Sequence, residues 1–94
     1  MKLRYTLCGA AELDQVLSYI EAQSPQGARH VQARIKVIIE LLLQYPRAGR
    51  LTSKAGLRRM VVSPYPFLIF YRATEDEIVI HGVRHTARRP SMPE

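Results

Sequence analysis

Residues 56–72, running from Gly56 to Arg72, read GLRRMVVSPYPFLIFYR, two strand-like runs joined at Ser63-Pro64-Tyr65-Pro66. Before the turn, Leu57, Arg59 and Val61 alternate with Arg58, Met60 and Val62, and after it Phe67 to Tyr71 is almost unbroken apolar sequence. The pattern predicts a β-hairpin. Successive strand side chains point to opposite faces, so Arg58 and Arg59 are expected on different sides of the sheet. A strand apolar on both faces, like the second one here, is expected to be central and covered.

Outward from the hairpin, both flanks read clearly. On the N-terminal side, Lys2 to Leu7 alternates, with Leu3, Tyr5 and Leu7 on one side, and predicts a strand that Gly9 ends. From Ala10, the spacing of Leu13, Val16, Leu17 and Ile20 predicts an amphipathic helix of about three turns, whose acidic residues form its wet face. Ser24-Pro25 suits an N-cap followed by Pro in the first helical position, so a second helix follows at once and pairs antiparallel with the first. Its apolar face, Ala28, Val31, Ile35, Ile38 and Leu42 with Ile39, Leu41 and Leu43, runs to about Gln44. That face is too broad for one neighbour. Arg47 to Ala55 is expected to be a polar loop. On the C-terminal side, Glu77 to Val83 predicts a third strand of the meander, with Ile78 and Ile80 on one face and Val79, His81 and Val83 on the other. The order is β-α-α-β-β-β, an α+β fold in which a helical hairpin covers one face of a mostly antiparallel sheet, as one domain over residues 1–94.

Composition narrows the function. Ninety-four residues with 47% apolar side chains support one core and leave no room for a second, deeply pocketed module. The net charge of +6 is uneven: residues 47–94 hold nine basic and four acidic groups, a net +5. Five of the thirteen residues from Arg47 to Arg59 are basic and none is acidic. Such a surface attracts a polyanion or an acidic protein, or simply keeps the chain soluble, and charge alone does not choose among these. A single cysteine, Cys8, is expected to be a small core residue and excludes an internal disulfide. No apolar run approaches the length of a membrane span, and a cytoplasmic location is expected.

Chemistry-bearing motifs are few. There is no phosphate-cradling glycine loop, no GxSxG elbow and no carboxylate pair at a plausible site. His81 and His85, four apart on a strand, do not share a metal-binding face, so neither metal nor cofactor is expected. His30 reads as a surface residue of the second helix. What remains is the set Arg58, Arg59, Tyr65, Arg84, His85, Arg88 and Arg89. Arginines can hold a phosphodiester while His or Tyr moves a proton, so metal-free RNA cleavage is chemically conceivable. The same groups would pair equally well with the carboxylates of an acidic partner.

With the strand-helix-helix start, YPRAGR at Tyr45 to Arg50, the hairpin and the closing IVIHGVRHTARRP, the chain resembles the RelE/ParE superfamily of toxins from type II toxin-antitoxin modules. The resemblance covers nearly the whole sequence. It is carried by ordered matches at P-x-x-G-R (Pro46 to Arg50), L-R (Leu57, Arg58), Y-P-x-x-I-x-Y-R (Tyr65 to Arg72) and V-x-H (Val83 to His85). It implies one of two activities: cleavage of mRNA in the ribosome, as in RelE-like members, or poisoning of DNA gyrase, as in ParE-like members. The nuclease relatives carry an arginine soon after the hairpin turn and often a C-terminal tyrosine. Here Pro66 stands near the first position, and Arg88 to Glu94 contains no tyrosine. A nuclease would be left with Arg58, His85 and Arg88. The hairpin and the Val83-Arg84-His85 segment look more like ParE. The resemblance therefore implies a gyrase-directed toxin without cofactors, neutralised by an acidic ParD-like antitoxin and meeting operator DNA only through that complex. Its alternatives are a ribosome-dependent endoribonuclease and a degenerate member that binds only its antitoxin and co-represses the operon.

Overall fold

The computed structural model describes residues 1–86. Its elements are β1 (Lys2–Tyr5), α1 (Leu7–Gln23), α2 (Pro25–Gln44), β2 (Arg50–Leu51), β3 (Leu57–Val61), β4 (Phe67–Ala73) and β5 (Glu77–His85). The five strands form one sheet in the order β1-β5-β4-β3-β2, which places the doubly apolar β4 at its centre. β3, β4 and β5 form the expected antiparallel meander. The partner of β1 is β5, and the pairing is parallel: the helix pair returns the chain to the end where β1 stopped, so β2 runs opposite to β1, and the antiparallel alternation through β3 and β4 brings β5 back to its direction.

Both helix starts are set by hydroxyl caps. Ser24 accepts from Gly27 N–H at 3.0 Å, with Pro25 in the first position of α2, as the sequence predicts. At α1 the prediction fails. The Thr6 hydroxyl accepts from Gly9 N–H at 2.9 Å, so the strand ends at Tyr5, and Leu7 and Gly9 belong to a helix of 17 residues. Leu7 leaves the strand face altogether and is 93% exposed, and Cys8 is exposed rather than a core residue. Gly9 is no breaker; it is buried because α1 lies so close to β5 that a Cβ there would overlap the carbonyl oxygen of Ile80.

The core lies between α2 and one face of the sheet. Val31, Ile35, Ile38, Ile39 and Leu42 meet Val62, Phe67, Ile69, Tyr71, Ile78, Ile80 and Val83. Leu13, Val16, Leu17 and Ile20 of α1 pack on its border and remain only partly buried. Removing a side chain as enclosed as Leu42, which has no exposed surface, would cost about 2–5 kcal/mol. Val83 sits with Ile78 and Ile80, contrary to simple alternation. Phe70 pairs with Gly82 but Tyr71 with Ile80, so His81 is an extra residue on β5, and this bulge turns Val83 back to the helix side.

The segment 47–55 also departs from a plain loop, because Arg50 and Leu51 pair with Arg59 and Arg58 as the short edge strand β2. Tyr71, at 0% exposure, anchors it: its hydroxyl donates to Pro46 O and accepts from Gly49 N–H, both at 2.8 Å. Gly49 is required there, since a Cβ would come within 2.5 Å of that hydroxyl oxygen. Tyr71→Phe keeps the ring and strands the buried Gly49 N–H. The expected cost is about 1–3 kcal/mol of unfolding free energy, read as a lower urea midpoint with an unchanged slope.

Candidate functional site

Strand register sorts the side chains into two faces. On the helix side, Leu51, Arg58, Tyr71 and Ile80 line up across β2 to β5, and Phe67 lies opposite His85. On the open side, Arg50, Arg59, Phe70 and Gly82 form one row, and Leu57, Arg72, Val79 and Arg4 form the next across β3, β4, β5 and β1. Leu57, Phe70 and Val79 are buried even though they lie outside the core beneath the helices. The open face thus has an apolar floor bordered by guanidinium groups.

The residues singled out in the sequence do not converge on one point. Arg58 and Arg59 do occupy opposite faces, as alternation requires. Arg58 turns back on its own chain, its Nη1 donating to Gly49 O at 2.8 Å and Arg47 O at 3.4 Å. His85 lies on the helix side, its ring edge-on to Phe67 at 5.3 Å. Tyr65 packs against the core from the hairpin turn, which Arg34 of α2 ties down by donating from Nε to Ser63 O at 2.6 Å. Arg59 and Arg84 belong to the open face. Arg88 and Arg89 lie outside the described residues.

Arg84 is held by a helix. Its Nη2 is 3.2 Å from Glu12 Oε2, and Glu12 Oε1 accepts the Val83 N–H at 3.0 Å. Glu12 is therefore more than part of a wet face. β1 pairs with β5 only as far as Ile80, and beyond it the carboxylate takes the place of a strand neighbour. Gly82 leaves room for this, since a Cβ there would lie 2.6 Å from Glu12 Oε1.

Sequence reasoning missed a second group on the open face. Arg72 Nη1 lies 3.4 Å from His81 Nε2, while its Nε donates to Ala55 O at 3.2 Å. A guanidinium has only donors, so the imidazole nitrogen facing it carries a lone pair. Burial, then the charges of Arg72 and Arg4, push the His81 pKa down and favour the neutral ring. Arg4 is itself bound to Glu77 at 3.3 Å, which raises its pKa. The signal was present only as register: Arg72 and His81 are nine apart, and the bulge that turns them together leaves no mark in composition. Among the described residues no group of His, Cys, Asp and Glu could hold a metal ion, and no helix is long and apolar enough to cross a membrane.

Comparisons with known proteins agree on one family. The family model described as the ParE toxin of the type II toxin-antitoxin system parDE matches residues 4–90. The toxin RelE2 of Caulobacter vibrioides is 36% identical over 84 residues, covering 89% of this chain and 93% of that protein. The Y4kP protein of Sinorhizobium fredii is 35% identical over 75 residues, covering 80% and 78%. A solved chain of the chromosomal ParDE TA system from P. aeruginosa superposes with a TM-score of 0.76 at 25% identity, covering 90% of this chain and 95% of that one.

The open-face histidine makes stability depend on pH. Folded His81 takes up a proton less readily than an unfolded histidine, so the unfolded chain binds more protons as pH falls. Stability is therefore expected to decline from about pH 7 downward, before carboxylates titrate, and the loss is complete only below the folded pKa. Thermal melts between about pH 7 and 5.5 should show this decline, and His81→Gln should flatten it.

Proposed function

We propose that this chain, which belongs to the ParE family of toxins from type II toxin-antitoxin systems, arrests growth by poisoning DNA gyrase and is held inactive by an acidic, ParD-like antitoxin. Membership itself entails a cognate antitoxin. The gyrase reading is carried by one observation: the described groups that a nuclease would inherit are already committed to the fold. Arg58 holds the carbonyls of Gly49 and Arg47, and the His85 ring lies against Phe67 on the helix side. Neither is placed to share a phosphodiester on the open face. Pro66 supplies no charge at the turn, and its carbonyl accepts Thr86 N–H at 2.8 Å.

Under this reading residues 1–94 act as a single cytoplasmic toxin domain, without metal or cofactor, that is directed to the operator sequence only through the antitoxin complex. The antitoxin docks along the helical hairpin, where Tyr19, Val37, Leu41 and Tyr45 are exposed large apolar side chains, and its acidic groups answer the basic half of the chain. Arg59, Tyr65, Arg84, Arg88 and Arg89 serve as contacts to target or antitoxin. A second reading, cleavage of ribosome-bound mRNA, draws on the Arg72–His81 pair: once Arg72 turns from the ring to a phosphate, the Nε2 lone pair it leaves can accept a proton while the cation steadies developing charge.

Induction of the toxin without its antitoxin separates the two. The expected result is chromosome breakage and an SOS response, with transcripts intact at ribosomal A-site codons. Codon-phased mRNA cleavage with unbroken chromosomes, lost on His81→Ala, would establish the nuclease instead. Arrest of neither kind would leave a protein that binds only its antitoxin.

A further inference from the structure

The loop between α2 and β3 carries no large buried side chain of its own, yet the sheet holds it at both ends. Consecutive residues of β4 do this from opposite faces. Tyr71 grips Pro46 and Gly49 on the helix side, and Arg72 Nε holds Ala55 O at 3.2 Å on the other. Arg58 adds the bond to Gly49 O at 2.8 Å, and Thr52 Oγ1 donates to Leu57 O at 3.0 Å. An exposed segment fixed this firmly presents its side chains from a stiff backbone, which reduces the entropy lost when they are engaged.

Those side chains are cationic. Arg47 and Arg50 are exposed, and only Ala48 and Gly49 stand between them. No carboxylate or carbonyl of the described residues engages either guanidinium, whereas Arg4, Arg58, Arg72 and Arg84 are all bonded within the fold. Protein partners are held mainly through buried aromatic and aliphatic anchors; Tyr45 and Leu51 flank the two charges, but only Ala48 and Gly49 lie between them. Nucleic-acid interfaces are polar and strongly positive, and the arginine fork matches a phosphate.

We infer that Arg47 and Arg50 form a contact for the phosphodiester backbone of duplex DNA. The inference rests on the gyrase reading for the source of the DNA, the segment that gyrase holds. Binding itself needs no gyrase, so the two ideas fail separately.

The test is fluorescence anisotropy of the purified toxin with a labelled duplex, titrated over a range of salt. Each phosphate contact contributes about 0.9 to the slope of log K against log salt, so Arg47→Gln with Arg50→Gln should reduce that slope by about 1.8. Lys36→Gln, which removes an exposed charge on α2, should leave it unchanged with the same melting temperature. An unchanged slope in the double variant, or an equal loss with Lys36→Gln, overturns the assignment. So does arginine-dependent binding to single-stranded RNA or polyglutamate that is tighter than to the duplex. A duplex-selective loss confined to the double variant supports it, whatever the gyrase assay gives.

Discussion

A phenol with no exposed surface must find partners for its hydroxyl, and Tyr71 finds them in the one segment that lacks a core of its own. Leaving a buried polar group unpaired costs about 1–3 kcal/mol, so the central strand and the loop from Pro46 to Gly49 stabilise one another. Burial raises the Tyr71 pKa, while the Gly49 N–H bond and the nearby Arg58 charge pull the other way. Several short sequence motifs become one device on this view. The proline and glycine of P-x-x-G-R supply a carbonyl and a bare Cα, the arginine of L-R supplies a second clamp, and the tyrosine of Y-P-x-x-I-x-Y-R supplies the hydroxyl between them.

A comparable constraint acts at the other side of the sheet. β5 has nine residues and β1 only four, so the strand runs past its neighbour and exposes an edge. Edge N–H groups invite pairing with other chains. The chain covers this edge with a helix: Thr6 N–H donates to Ile80 O at 3.0 Å, Gly9 lets α1 approach, and Glu12 accepts the Val83 N–H. Arg84 then neutralises the carboxylate that does the covering. Its side chain is only 21% exposed, so removing it would disturb the seat of α1 as well as any contact Arg84 makes outward.

What the sequence made legible was what depends on local period and local punctuation. The three-four spacing of Val31, Ile35, Ile38 and Leu42 identified the buried face of α2, and Ser24-Pro25 marked its first turn. Phe67 to Tyr71 identified the central strand because both its faces had to be covered. The failures involve competition between two local signals or a long-range register. The alternation of Leu3, Tyr5 and Leu7 overrode the cap signal of Thr6, although a threonine three residues before Gly9 offered the hydroxyl for that N–H. The bulge at His81 displaced Val83 to the other face, and strict alternation has no means of detecting one extra residue. For the site, adjacency correctly divided Arg58 from Arg59, but it could not show that Arg58 spends its charge on backbone carbonyls or that Arg84 shares its own with Glu12. Nor could it bring His81 to Arg72, which required both the pairing of β4 with β5 and the bulge.

Apolar exposure and free cationic charge occupy neighbouring parts of the surface, and their order along the chain bears on how a toxin of this shape could be silenced. Val37, Leu41 and Tyr45 recur every four residues, so they follow one line along α2 to its C-terminal cap. Arg47 follows two residues after that cap, on the backbone that Tyr71 has fixed. A partner segment that buries the apolar line and continues in the same direction arrives at the cationic loop, where acidic residues would gain most. Apolar burial would then supply the affinity and charge the register, since exposed ion pairs are typically worth only about 0–1 kcal/mol each. A segment lying on that line reaches Arg47 and Arg50 on a backbone that the sheet already holds through Tyr71 and Arg72, so engaging them requires no rearrangement of the loop.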